Sequence, residues 1–380
     1  MAIDPQEPLV SVVIPTYNRA YCLRRTLESV FAQTHRRLEV LLVDDGSTDG
    51  TATLAEEIGR NEPRLRYLRQ ANAGVCAARN LGLETVRGEY IALLDSDDVW
   101  FDWKLAAQVA VLAADPSLGM LWTDMKAVDP HGRVTHDRYL RTMYSAYRWI
   151  GERGVFDRTT RLGDLPGAPC DSGIADVSVR GGDLYSAMIM GNLVHTSTVL
   201  LTRERLHKVG LFDVQLRMSG EDYDFHLRTC REGRVALLDA PSILYQRGAP
   251  DQLTRPDLAY FRATNFLATI EKALRDDIGR IRLPKRMIDA VFAEGHLWVG
   301  EVELELGHQA SARRHLSRSL LRDPRQARAW RLAVLSMLQQ PSSGSETCIG
   351  RRADRLERPR SGSGSPIRAW GRFGHAGEGR

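Results

Sequence analysis

Between residues 8 and 130, short and nearly uninterrupted apolar runs alternate with amphipathic stretches, and few architectures accept that pattern. The runs Val10–Pro15, Glu39–Val43, Leu65–Leu68, Tyr90–Leu94 and Met120–Thr123 read as strands. Strands that are apolar throughout are expected where helices cover both faces of a parallel sheet. The stretches Ala20–Ala32, about Thr48–Ile58, Gly74–Val86 and Trp103–Ala114 read as the intervening helices. Alternation of this kind, with right-handed crossovers, predicts an open, mostly parallel α/β sheet flanked by helices. Such sheets bind ligands beyond the carboxyl ends of their strands. Three polar groups follow strands here: Thr16-Tyr17-Asn18-Arg19, Asp44-Asp45 and Asp95-Ser96-Asp97-Asp98. One cleft can gather all three.

Residues 130–190 are rich in Arg, Gly, Asp and Tyr with weak periodicity, so long loops and short helices over the cleft are expected. Order returns with a strand at Thr198–Thr202, a helix near Arg203–Val209 and a helix opening at Gly220-Glu221-Asp222 and running to about Glu232. A strand at Val235–Leu238 and the segment Ser242–Tyr245 close a first domain of residues 8–250. Residues 251–340 form an all-α extension. Within it Gly300, Ala312, Leu316 and Pro324 fall near tetratricopeptide spacing with Gly307 at the turn, and a plain helical hairpin packed on the first domain is the competing reading. Residues 341–380 are Arg-, Gly- and Ser-rich and are expected to be disordered.

Charge follows that division. Residues 351–380 hold eight Arg against Asp354, Glu357 and Glu378, whereas the remaining 350 residues sum to −1. Composition therefore gives no case for a nucleic-acid-binding core. Five scattered cysteines, Cys22, Cys76, Cys170, Cys230 and Cys348, form neither a disulfide framework nor a zinc spacing, which points to a reducing cytoplasm. No run of about 18 apolar residues appears, and Asp4 and Glu7 with no basic residue in the first ten argue against a secretory leader. The tail arginines can touch an anionic inner membrane face, although no apolar anchor accompanies them. The helical region can dock a protein partner. Neither a Gly-x-x-x-x-Gly-Lys loop nor a Gly-x-Gly-x-x-Gly turn is present, so an ATPase and a dinucleotide enzyme are unsupported.

The acids carry the chemistry. Asp95, Asp97 and Asp98 crowd three carboxylates into four residues at a strand end, an oxygen-rich set suited to Mg²⁺ or Mn²⁺ held together with substrate phosphates. Asp45 through Glu56 also fits a calcium-loop template, but a strand rather than a helix precedes it. One of Asp44 and Asp45 is better read as accepting an N–H of a nucleobase, with Ser47 or Thr48 capping the following helix. Gly74 opens a helix toward the same side, from which Arg79 can reach a diphosphate or base. Glu221 and Asp222 are the best acidic pair for a general base. His195 competes, but its neighbours Leu193, Val194 and Val199 suggest a satisfied core histidine.

Five ordered blocks carry a resemblance over roughly residues 8–250. They are Ser11-Val-Val-Ile-Pro-Thr-Tyr-Asn-Arg19, Leu41-Leu-Val-Asp-Asp-Gly-Ser-Thr-Asp49, Asn72-Ala-Gly74 with Ala78-Arg-Asn80, Gly88-Glu-Tyr-Ile-Ala-Leu-Leu-Asp-Ser-Asp-Asp98, and Val209-Gly-Leu-Phe-Asp213 with Gly220-Glu-Asp-Tyr-Asp224. Together they resemble glycosyltransferase family 2, of the inverting, non-processive type. The resemblance implies a GT-A fold and inverting transfer of a sugar from a nucleotide-diphosphate donor, with a UDP-sugar expected, to a glycan or glycolipid acceptor. It places Pro15, Thr16, Tyr17 and Arg19 beside the nucleotide, with Asp44 or Asp45 reading the base. Gly74, Arg79 and Ser96 complete that side. It makes Asp97 the direct ligand of Mn²⁺ or Mg²⁺, Asp95 a ligand nearer the ribose, and Asp222 the catalytic base with Glu221 beside it. The Gln/Arg-x-x-Arg-Trp motif of processive members is absent, and Tyr245-Gln246-Arg247 lacks the histidine that many relatives carry soon after this tyrosine. Polysaccharide or other glycan assembly from the cytoplasmic side is the implied setting. Transfer to a polyprenyl phosphate is an alternative, although an ionised phosphate nucleophile needs no base. A non-catalytic sugar-nucleotide-binding scaffold is another. A sugar nucleotidyltransferase would need a Gly-rich, basic loop after the first strand, where Pro15-Thr16-Tyr17-Asn18 stands.

Overall fold

The computed structural model describes residues 7–150, 155–169, 173–216, 218–248, 252 and 255–338. A compact unit runs through Met337, and of a second unit, 338–380, only Leu338 is described. The tail expected to be disordered, together with Cys170 and Cys348, lies outside the described residues.

The first half alternates as expected: β1 (Val10–Thr16), α1 (Ala20–Phe31), β2 (Leu38–Asp44), α2 (Thr51–Gly59), β3 (Leu65–Arg69), α3 (Val75–Thr85), β4 (Tyr90–Leu93), β5 (Val99–Trp100), α4 (Lys104–Ala114) and β6 (Met120–Val128). β1 and β2 are buried along their whole length. Their β-branched side chains pack on both faces of the pleat, as their apolar runs required. On α1 the buried residues Leu23, Thr26, Leu27 and Val30 recur at helical spacing and turn one face to the sheet. Helix α3 comes closer still. A methyl at Gly82 would overlap Val13 and meet Val43 Cγ2 at 3.3 Å, so only glycine lets this helix lie on β1 and β2.

The middle follows as β7 (Val134–His136), α5 (Leu140–Met143), α6 (Ala146–Ile150), β8 (Arg158–Arg161), β9 (Ser178–Gly182), α7 (Tyr185–Ile189), β10 (Leu200–Thr202), α8 (Arg203–Val209), α9 (Glu221–Arg231) and β11 (Val235–Gln246). Three strands thus stand in a region expected to hold loops and short helices. They escape notice because β7 and β8 are mostly exposed edge segments without an apolar alternation. Segments expected separately at Val235–Leu238 and Ser242–Tyr245 are one strand. Its register against β6 shifts on both sides of Pro241, where a residue with no N–H to donate is tolerated.

The strand order is β3-β2-β1-β4-β10-β6-β11-β9-β8, with β5 on β11 and β7 on β6. Parallel pairing covers β3-β2-β1-β4 and β6-β11. β10 runs antiparallel between β4 and β6, and β9 antiparallel between β11 and β8. The helix-flanked α/β sheet is as expected. Its parallel character belongs to the part built from crossover helices, and the whole sheet is mixed because β10 enters from a 3-10 turn at Thr196–Thr198 instead.

Four helices complete the unit: α10 (Ala259–Asp277), α11 (Lys285–Glu305), α12 (Gln309–Arg322) and α13 (Ala327–Leu338). On α10, Ala263, Leu267 and Ile270 join the same hydrophobic core as the sheet. Phe266 stacks on Tyr223 of α9 at 5.3 Å, and Asn265 donates to the Ser219 carbonyl at 2.6 Å. Helices α11 and α12 turn at Gly307 and are in close contact where a methyl on Gly300 would meet Leu316 Cγ at 2.9 Å.

Candidate functional site

The loops after β1, β2 and β4 lie side by side at the carboxyl edge, since Thr16 is in register with Asp44, and Asp45 N–H donates to Thr16 O at 2.9 Å. Asn18, held at φ 53°, accepts from Thr48 N at 2.8 Å, and its own N–H donates to Ser47 Oγ at 2.9 Å. Neither Ser47 nor Thr48 caps α2, because both are committed to Asn18. Asp49 serves that helix instead, accepting from Thr51 N at 3.0 Å and Thr51 Oγ1 at 2.6 Å.

Asp44 and Asp45 stand at the rim with their carboxylates engaged by the protein. Asp44 accepts from Ser47 N and Tyr67 OH. Asp45 accepts from Gln70 Nε2 at 2.7 Å and from Ala73 N and Gly74 N at 2.8 Å each. These are loop-shaping contacts, and the calcium-loop template is not realised. Pro15 and Thr16 are buried at the end of β1, while Tyr17 is about half exposed beside them. The carbonyl of Ser96 accepts from Thr26 Oγ1 at 2.9 Å, which ties the acidic turn to α1.

Arg79 does not face outward. Its buried guanidinium donates to Asp95 Oδ1 at 2.8 Å and to Glu221 Oε1 at 2.7 Å, joining the acidic turn after β4 to the first residue of α9. Burial alone would push Asp95 up, but the Arg79 and His195 charges hold its carboxyl below the ordinary range. Glu221, Asp222 and Asp224 occupy the first turn of α9, where the helix dipole favours negative charge. Asp222 Oδ1 accepts from Tyr223 N at 2.8 Å, and Asn192 Nδ2 stands 3.5 Å from Asp222 Oδ2. Its carboxyl is pushed up to about 6 by its protein surroundings and by the Glu221 charge, with Arg79 and His195 pulling it down.

Ligand atoms of Asp95, Asp98 and His195 all lie within 4.8 Å of one another. His195 Nε2 is 3.3 Å from Asp98 Oδ2. Burial lowers its proton affinity, yet Asp98 more than offsets this and raises it. Burial, with Asp95 nearby, raises the Asp98 carboxyl, and the other oxygen, Oδ1, is buried without a partner among the described residues. An unpartnered buried carboxylate oxygen beside a second carboxylate and an imidazole suits a divalent cation. Asp97, the residue singled out in the sequence, sits outside this trio. It faces Arg19 Nη1 at 3.5 Å, with its carboxyl pushed up to about 7 by burial and by Asp98.

His195 is buried, as its apolar neighbours suggested, but it is part of the site. Tyr245 lies edge-on to its ring at 5.0 Å, so the tyrosine that lacks a following histidine packs on one from another segment. Behind the trio, Asp95 N donates to Ser197 Oγ at 3.1 Å and Trp100 Nε1 to Ser197 O at 2.9 Å. Lys104, fully buried, holds its amine 4.1 Å from the Trp100 ring centroid and donates to Gln108, which donates to Thr198 O. Asn192 went unread, and His195 was weighed as a base but set aside as a core histidine. The available signal was two polar side chains three residues apart within an apolar run.

The Glycosyl transferase family 2 model matches residues 11–164. An uncharacterized glycosyltransferase of Rickettsia felis is 46% identical over 100 residues, 26% of this chain and 16% of that protein. One from Rickettsia prowazekii is 28% identical over 228 residues, 60% of each. The chain thus spans less than two thirds of either relative. Among solved structures, the mannosyltransferase PcManGT from Pyrobaculum calidifontis, in complex with GDP-Man and Mn²⁺, superposes with a TM-score of 0.52 at 19% identity, covering 89% of this chain and 82% of that one. That likeness is one of fold.

Proposed function

We propose, from the match of the Glycosyl transferase family 2 model to residues 11–164, that this chain moves a sugar from a nucleotide-diphosphate donor, a UDP-sugar first among them, to an acceptor hydroxyl with inversion. The acceptor is a glycan or glycolipid under assembly. The catalytic segment is residues 8–250, with the helices of 251–340 as its buttress. One observation carries the reading: Arg79 binds Asp95 and Glu221 together, which sets the acidic turn and the base-bearing start of α9 in one network.

Asp222 takes the proton of the acceptor hydroxyl as its oxygen bonds to the anomeric carbon, and the carbon–oxygen bond to the diphosphate breaks on the opposite face, its electron pair leaving with the diphosphate. Glu221 is held by Arg79 and keeps Asp222 in place. Asp95, Asp98 and His195 would hold Mn²⁺ or Mg²⁺, with Asp97 and Arg19 at the rim. Held there, a divalent cation would supply charge to offset that of the departing diphosphate. Pro15, Thr16 and Tyr17 border the nucleotide, and the half-exposed ring of Tyr17 offers a stacking face. Asp44, Asp45, Gly74 and Ser96 shape the rim around it.

Calorimetric titration of UDP, GDP, dTDP and CMP, each with and without Mn²⁺, tests this. One diphosphate is expected to bind with Mn²⁺ dependence, and Asp98→Asn to weaken that binding at least tenfold. No binding of any nucleotide by folded protein overturns the proposal.

A further inference from the structure

The charge of the chain is segregated along the sequence. Residues 1–308 hold 37 basic against 43 acidic residues, whereas residues 309–337 hold seven arginines against Asp323 alone. Three of the seven are engaged within the fold: Arg313 donates to the Ser336 carbonyl, Arg322 pairs with Asp289, and Arg328 pairs with Glu301. Arg314, Arg318, Arg325 and Arg331 make no ion pair or side-chain hydrogen bond among the described residues.

The same hairpin exposes apolar side chains that a water-facing helix has no use for. On α13, Ala329 and Ser336 are buried. Trp330, Val334 and Met337, at i, i+4 and i+7, form one outward stripe with exposures of 53%, 52% and 71%. Leu335 flanks it, and Leu321 at the end of α12 is 84% exposed. The Trp330 indole N–H is already satisfied by the Pro324 carbonyl at 2.9 Å, so the ring is presented with its polar end occupied.

We propose that the outward face of α13, with the unpaired arginines of α12, of the turn between them and of α13 itself, docks on an anionic lipid bilayer. An amphipathic helix with Trp, Leu and Met on one side and arginines beside it lies in the headgroup region, its apolar side chains entering the acyl boundary. The arginines reach anionic headgroups along their apolar stems. The other occupants match less well. A second copy would press two patches of the same sign together with only Asp323 to offset them. Nucleic acid would leave Val334, Leu335 and Met337 without an apolar counterpart. The surface does not depend on the transfer reading, and donor binding measured by calorimetry reports on that reading separately.

The test is co-sedimentation of the full chain with vesicles of phosphatidylcholine alone and of phosphatidylcholine mixed with phosphatidylglycerol. Two variants accompany it: Trp330→Ser with Met337→Ser, and Arg314→Gln with Arg318→Gln, Arg325→Gln and Arg331→Gln. All these positions are exposed, and an unchanged melting temperature and donor affinity show that each variant remains folded. The wild type is expected to partition at least tenfold more strongly to the anionic vesicles, less so at high salt, and each variant to lose at least tenfold. Binding by the variants equal to wild type overturns the proposal, because the Arg-rich tail then carries the attraction. So does equal binding to both vesicles. A dimer in sedimentation velocity that Trp330→Ser with Met337→Ser dissolves, without vesicle binding, assigns the face to a second copy. Binding to polyglutamate that outlasts loss of the apolar stripe assigns it to an acidic protein.

Discussion

Asp222 sits between charges of both signs, and the balance sets its working range. Its protein surroundings and Glu221 raise its carboxyl from 3.8 to about 6, with Arg79 and His195 opposing. As the proposed base, Asp222 must be ionised, so transfer should rise with pH along an acid limb near 6. Asp222→Asn should abolish transfer while sparing donor affinity, and wild-type rates in that variant would remove the residue from the mechanism. Arg79→Gln deletes a positive charge, so it should move the limb to higher pH, an outcome read from kcat against pH. The same shift acts on stability. A carboxyl raised in the fold stabilises at pH below its unfolded value, and that stabilisation is lost as pH rises through 6. Asp222→Asn should therefore raise Tm at neutral pH. The acids of this site were legible because clustering is visible in one dimension: Asp95 to Asp98 and Glu221-Asp222 each announce themselves. Asn192 was not, and His195 was named only to be discounted, because each is a single polar residue in an apolar run, brought to its partner across 30 and 97 residues only by the fold.

Helix α3 shows what an element contributes. It carries Arg79 inward and Gly82 onto the sheet, so the position of one depends on the close approach of the other. Gly82→Ala should force α3 off β1 and β2 at a cost of about 1–3 kcal/mol, seen as a lower urea midpoint with unchanged slope. An unaltered midpoint would show that the helix has room to shift. Strands buried on both faces and separated by amphipathic helices were readable from periodicity, which is why β1 to β4 and α1 to α4 stand where expected. Short edge strands such as β8 carry no such period, and β10 is three residues long. Their pairing is decided by which sheet edge remains open, a property of the assembled fold.

Across the whole unit, the helices after residue 250 pack against the elements that carry the candidate site. Asn265 of α10 holds the Ser219 carbonyl, one residue before Gly220 and the start of α9, which carries the proposed base. Asn265→Ala should loosen that turn and lower kcat roughly threefold to tenfold, as the loss of about 1 kcal/mol implies, with little change in donor affinity. Steady-state kinetics that match wild type would limit α10 to a packing role. The position of β10 has a consequence of another kind. It closes the flank of β4 with Ala92 opposite Leu200, partners separated by 108 residues of chain. At the usual 5–20 residues per second of synthesis, roughly 5–20 s pass before that flank is covered. Throughout that interval the nascent chain holds a bare strand edge next to the crowded carboxylates of Asp95, Asp97 and Asp98. His195, the group that completes the trio, leaves the ribosome only just ahead of the strand that covers the edge, so a chain interrupted before it holds Asp95 to Asp98 without the imidazole that stands beside them.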